Sequence, residues 1–130
     1  MIIGIYLSIL SIIFIILSAQ TIVTRRKEKV AVGAGDSKKL LRVSRAHANF
    51  AEYVPITVIL LLTIEYLGGL DMYLHFAGTI LVIGRMVHAY GISQVRENFN
   101  YRVFGMVSTL TCIGLSALYL LFLSITNSVS

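Results

Sequence analysis

At 130 residues, with 57% apolar and only 13% charged side chains, the chain has a mean hydropathy of +0.85, well above ordinary globular usage. This excludes a soluble domain of common composition and leaves room for a single all-α unit of four membrane crossings, each about 20 residues long. The net charge of +5 raises nucleic acid as a partner, but most cations lie in one short loop and its adjoining helix, without a recognised nucleic-acid module; anionic lipid headgroups suit them better.

The first predicted span covers residues 1–24 and carries no charge, with Arg25, Arg26, Lys27, Glu28 and Lys29 following at once. A secretory signal would place its cations before the apolar run and a small-residue cleavage site after it, so this segment is expected to span and to stay attached. Glycines within 30–37 mark a loop, and Asp36 or Ser37 can cap the next helix. The second span, 37–67, holds Arg42, Arg45, His47, Asn49 and Glu52 in its early turns and is apolar later; the charged turns belong to the same helix. Pro55 removes a backbone donor, which favours a kink beside Glu52, although membrane helices also tolerate proline without functional meaning. Gly68 and Gly69 break the chain, and Asp71 is expected to cap the third span, 72–91, which carries His75, Arg85 and His88. A polar connection leads to the fourth span, 102–125, uncharged from Val103 onward.

Lys and Arg concentrate between spans one and two, Arg96 lies between three and four, and the Gly68-Gly69 turn and both termini have neither residue type. The positive-inside rule then places both basic loops on the cytoplasmic side and both termini opposite.

At about 100° per residue, Arg42, Arg45, Asn49, Glu52 and Tyr53 occupy roughly a third of the second helix's circumference. His47 lies nearly opposite Arg45 and reads equally as a packing or interface histidine. Insertion scales assign about 2.5 to 3.5 kcal/mol to an Arg or Asp near a helix centre, so the stripe needs compensation. One source is an internal network in which Glu52 pairs with Arg45 or Arg85 and Asn49 bridges helices. Another is an anionic ligand, favoured because Arg42, Arg45, Arg85 and Arg102 face one deeply placed carboxylate, Glu52, and because the arginine fork binds carboxylates in a bidentate manner.

Cys112 is the sole cysteine, which excludes an internal disulfide, and its apolar mid-span setting suits packing better than thiol catalysis. Gly105, Ser108, Cys112 and Ser116 recur at the spacing of a close helix contact. The three histidines have no metal-ligand spacing, and Gly33-Ala-Gly35 lacks the strand and third glycine of a dinucleotide fingerprint.

The run Arg45-Ala-His-Ala-Asn49-Phe-Ala-Glu52-Tyr53-Val-Pro55, followed by Gly84-Arg85-Met-Val-His88, resembles the MAPEG family, the membrane-associated proteins in eicosanoid and glutathione metabolism. The resemblance covers nearly the whole chain and is strongest to bacterial members of the microsomal glutathione transferase type. It implies an integral membrane four-helix bundle assembled as a homotrimer, with glutathione bound between neighbouring subunits near the cytoplasmic side. Arg45, Asn49, Glu52 and Tyr53 match glutathione-contacting positions, Arg85 and His88 match polar positions on the third helix, and Arg42 is an added candidate. Arg102 resembles the catalytic arginine that stabilises the glutathione thiolate. Ile92 departs from the pattern, since several relatives carry a tyrosine there.

The implied activity is conjugation of glutathione, the co-substrate, to lipophilic electrophiles from the bilayer, a detoxification reaction with lipid hydroperoxide reduction as a companion and no metal. The family also contains a noncatalytic lipid-presenting protein, so a lipid- or glutathione-binding membrane protein without turnover is the alternative, and a purely structural trimer a third reading. A bacterial source implies the inner membrane.

Overall fold

The computed structural model describes residues 1–129, which form four helices: α1 (Ile3–Glu28), α2 (Lys38–Tyr66), α3 (Asp71–Ser93) and α4 (Phe99–Val129). All four are long and apolar enough to cross a membrane, giving an all-α integral membrane bundle. Their most apolar 18-residue stretches separate two kinds, with mean hydropathies of 2.2 and 2.0 in α1 and α4 but 1.4 and 1.2 in α2 and α3, which carry the intramembrane polar groups.

Local chemistry explains the helix ends, several of which differ from expectation. α1 runs on through the basic stretch because Arg25, Arg26 and Lys27 complement the negative end of its dipole. It stops at Lys29, whose φ of 55° turns the chain left-handed. The Arg25 guanidinium then donates to the carbonyls of Val30, Ala31 and Gly33, the last at 2.8 Å, and shapes the following loop. Ser37 caps α2 as expected, accepting from the Leu40 N–H at 3.1 Å. The charged turns are part of α2, and Pro55 does not interrupt it.

The next connection is a Schellman turn: Gly68 N–H donates to the Glu65 carbonyl and Gly69 N–H to that of Ile64, with Gly68 at φ 77°. Leu70, rather than Asp71, is the N-cap of α3; Asp71 lies in the first turn, where its charge suits the helix dipole. α4 begins at Phe99, ahead of the expected 102, because Asn98 receives N–H groups from Asn100 and Tyr101 and so starts the helix early. It also ends later than the expected 125.

α3 packs most extensively on α4, and α1 on α2. The α3–α4 seam depends on glycine, since a Cβ on Gly105 would lie 2.5 Å from both the Gly84 carbonyl oxygen and His88 Cβ. Cys112 and Ser116 are buried on the same α4 face, and Tyr73 meets Ser116 at 2.8 Å, so the small-residue spacing marks a true helix contact. At the opposite end from the basic loops, the Glu65 carboxylate accepts the backbone N–H groups of Ile2 and Ile3 and caps α1. That carboxylate lies in the part of the second span read as plainly apolar; a helix N-terminus supplies the donors that let it sit there.

Candidate functional site

At the basic end of the bundle, α2, α3 and α4 enclose a groove of about 470 Å³ whose polar wall is Arg42, Arg45, Asn49, His88 and Arg102. Leu41, Ile92, Phe99, Val103 and Met106 supply its apolar wall. The close α3–α4 approach at Gly105 fixes His88, which is buried. Ile92, at the position where the resemblance leads one to look for tyrosine, contributes an apolar surface instead.

Beneath the groove lies Arg85, only 1% exposed. Its Nη1 donates to Asn49 Oδ1 at 2.8 Å and its Nη2 to the Gly105 carbonyl at 3.2 Å, while the guanidinium carbon sits 5.9 Å from the centre of the Tyr53 ring. Its Nε has no acceptor among the described residues. Arg85 is thus a buried cation held by dipoles and a ring face, with no carboxylate in ion-pair range among the described residues. Asn49 spends its carbonyl on Arg85 and retains its amide N–H groups as donors.

The second-helix stripe divides. Arg42, Asn49 and Tyr53 are half-buried toward α3 and α4, whereas Arg45 and Glu52 are exposed. Helix geometry gives the reason: Arg45 and Glu52 lie two turns apart, about 20° from each other at one edge of the stripe, with roughly 10 Å between them along the axis. The expected pairing of Glu52 with Arg45 or Arg85 is therefore absent, and neither Glu52 nor Arg45 makes an ion pair among the described residues. Glu52 and Tyr53 do not line the groove; Tyr53 contributes through Arg85, and Glu52 faces outward from the single chain. His47 lies apart from the groove, stacked on Phe14 at 4.8 Å between ring centres.

Sequence reasoning missed Glu97. This carboxylate, in the connection between α3 and α4, meets Arg42 and Arg102 at 3.0 Å each. The hydrogen bonds from Arg42 and the nearby Arg102 hold its carboxyl below the usual carboxylate range. The available signal was a lone acid in a loop directly before an arginine-bearing helix. Arg102 also lies 5.4 Å from the Phe99 ring centre.

A second cavity of about 310 Å³ opens between α3 and α4, lined by Tyr73, Phe76, Ile80, Val107, Cys112 and Leu115 among others, with no charged side chain. Along α4 it starts at Val107, one turn from Val103 of the polar groove.

A four-helix membrane protein with an arginine-lined groove at its basic end is the class these features define. The MAPEG family model matches residues 3–122, and the chain belongs to the MAPEG family. It is similar to the "Inner membrane protein YecN" of Escherichia coli strain K12, 35% identical over 85 residues, which are 65% of this chain and 63% of that protein. The protein of the same name from Escherichia coli O6:H1 matches with the same values. The matched stretch thus spans a little under two thirds of the length of these relatives.

Proposed function

We propose that this protein is a membrane-bound glutathione transferase acting on lipophilic electrophiles, working as a homotrimer in an inner membrane with both basic loops cytoplasmic. The observation that carries the reading is the groove itself: three arginines on its wall and a fourth beneath it, against the one carboxylate among the described residues that pairs with any of them, Glu97. Glutathione brings two carboxylates, an ammonium and a thiol. In this reading Arg42 and Arg45 take the carboxylates, Asn49 donates to the peptide, and Arg102 lies by the thiol. A nearby guanidinium favours thiolate, the nucleophilic form, as the thiol proton leaves to water. The sulfur then bonds to the electrophilic carbon, and the leaving group departs with its electron pair. With a hydroperoxide the thiolate sulfur bonds to the terminal peroxide oxygen, the O–O bond breaks and the lipid leaves as its alcohol after taking up a proton. A second glutathione then displaces water from the resulting sulfenic acid to give the disulfide.

The apolar cavity beginning one turn along α4 supports entry of an apolar co-substrate from the bilayer. Family membership supports the glutathione chemistry, and the name of the relative supports an inner membrane setting. Glu52, exposed on a span, supports assembly, because a carboxylate facing hydrocarbon is costly unless a second copy covers it. His88, buried on the groove wall, and Tyr53, behind Arg85, complete the proposed site.

One observation favours a second reading as a noncatalytic glutathione- or lipid-binding protein: the Arg102 guanidinium is engaged by Glu97. Ultraviolet difference absorbance of the glutathione thiolate, during titration into the detergent-solubilised protein at neutral pH, decides between them. A saturable signal that is lost in Arg102→Ala is expected. Glutathione binding with no thiolate signal in the wild type would establish the binder instead.

A further inference from the structure

Arg42 and Arg102 come from different helices, yet one carboxylate holds both. Arg42 Nη1 lies 3.0 Å from Glu97 Oε2 and its Nη2 donates to Oε1 at 3.2 Å. Arg102 Nη1 donates to the same two oxygens at 3.0 and 3.3 Å. The pairing with Arg42 is the two-pronged geometry that an incoming carboxylate would require. Both arginines line the groove and Glu97 does not, so a ligand entering it meets two cations already engaged by a carboxylate outside its wall.

We propose that Glu97 is an internal latch that must release Arg42 and Arg102 before a carboxylate-bearing ligand can bind, and that this competition sets which anions the groove accepts. The identity of the ligand rests on the glutathione reading; the latch itself does not. Arg45, exposed and without an ion pair among the described residues, takes the first carboxylate. The second carboxylate then draws Arg42 from Glu97, which frees Arg102 for the remainder of the ligand. A ligand with one weak acceptor cannot displace a carboxylate shared between two guanidinium groups, whereas one with two carboxylates gains two arginines in exchange. Arg42 also donates to the Ile92 carbonyl at 3.4 Å, so its departure loosens the last turn of α3 together with loop 94–98.

The test titrates glutathione, and separately citrate as a simple polycarboxylate, into full-length wild type, Glu97→Gln and Glu97→Asp in detergent. Calorimetry reads affinity, and amide hydrogen exchange reads loop 94–98. Both ligands are expected to bind Glu97→Gln about tenfold more tightly than wild type, and ligand should speed exchange of the loop in the wild type. A merely supportive Glu97 would move affinity the other way, because the arginines would lose their anchor. Equal or weaker binding to Glu97→Gln, unchanged loop exchange on binding, or no binding of either ligand to any of the three proteins overturns the latch. Citrate binding that tightens in Glu97→Gln while no protein binds glutathione upholds the latch and removes the glutathione reading. Should Glu97→Gln fail to fold, Glu97→Asp, which keeps the charge but shortens its reach, is expected to give a smaller gain, and the absence of any gain there overturns the proposal.

Discussion

Arg85 is buried with hydrogen-bond partners but no counter-ion among the described residues, so its stability depends on neutral dipoles. Replacing Asn49 by Leu leaves Nη1 unsatisfied and should cost about 1.5 to 3 kcal/mol, read as a lower thermal midpoint in detergent. Asn49→Asp, which supplies a carboxylate to the same nitrogen, should retain most of the stability. Glu97 gives a prediction in pH. Its folded value lies below the 4.5 of a free glutamate, so the bridge favours the ordered loop at neutral pH and is lost only as pH falls through that lowered value. The protection of loop 94–98, taken as the observed exchange rate corrected for the intrinsic pH dependence of amide exchange, should therefore hold at neutral pH and fall in acid, whereas the protection in Glu97→Gln should not change over the same range. The arginines and Asn49 were legible in the sequence as polar residues where hydrocarbon was expected. Their partners were not: Glu52 was the nearest acid along the helix, while the acid that Arg42 meets stands 55 residues away.

The helices themselves were legible because hydropathy and composition act locally. The charged early turns of the second span were correctly joined to it, and Gly68-Gly69 correctly marked a break. Ends were less legible, since an early start at Phe99 and a late stop after Glu28 depend on which backbone groups a side chain can satisfy. How closely α3 and α4 pack is decided at Gly105. Gly105→Ala should force the helices apart and destabilise by roughly 1 to 3 kcal/mol while displacing His88. Gly114→Ala, with nothing within 4 Å of the added Cβ, should be neutral or stabilising. Thermal unfolding of the two variants side by side separates packing from helix propensity.

For the whole molecule, the placement of Lys and Arg in the loops predicts one topology, and the proposed homotrimer, which the family resemblance implies, predicts one assembly. Lys27→Cys should react with a membrane-impermeant maleimide only from the cytoplasmic face, with little background from the buried Cys112. Labelling from the opposite face would invert the orientation. Cross-linking in detergent should give three copies, and Glu52→Gln should alter that assembly, because Glu52 lies exposed on the single chain along a membrane-spanning helix.

Composition, hydropathy and the spacing of the polar stripe were enough to place this chain in a membrane, count its helices and point to its family, because each of these signals is carried by residues near one another along the chain. Three-dimensional packing settled the rest. It divided the stripe into groove-facing and outward residues, brought Arg102 beside Arg42, replaced Glu52 by Asn49 as the partner of Arg85, and introduced Glu97. Those outcomes depend on how helices cross and where a short loop returns, and the crossing is governed by glycine contacts between α3 and α4 that place each side chain to within a hydrogen bond's length.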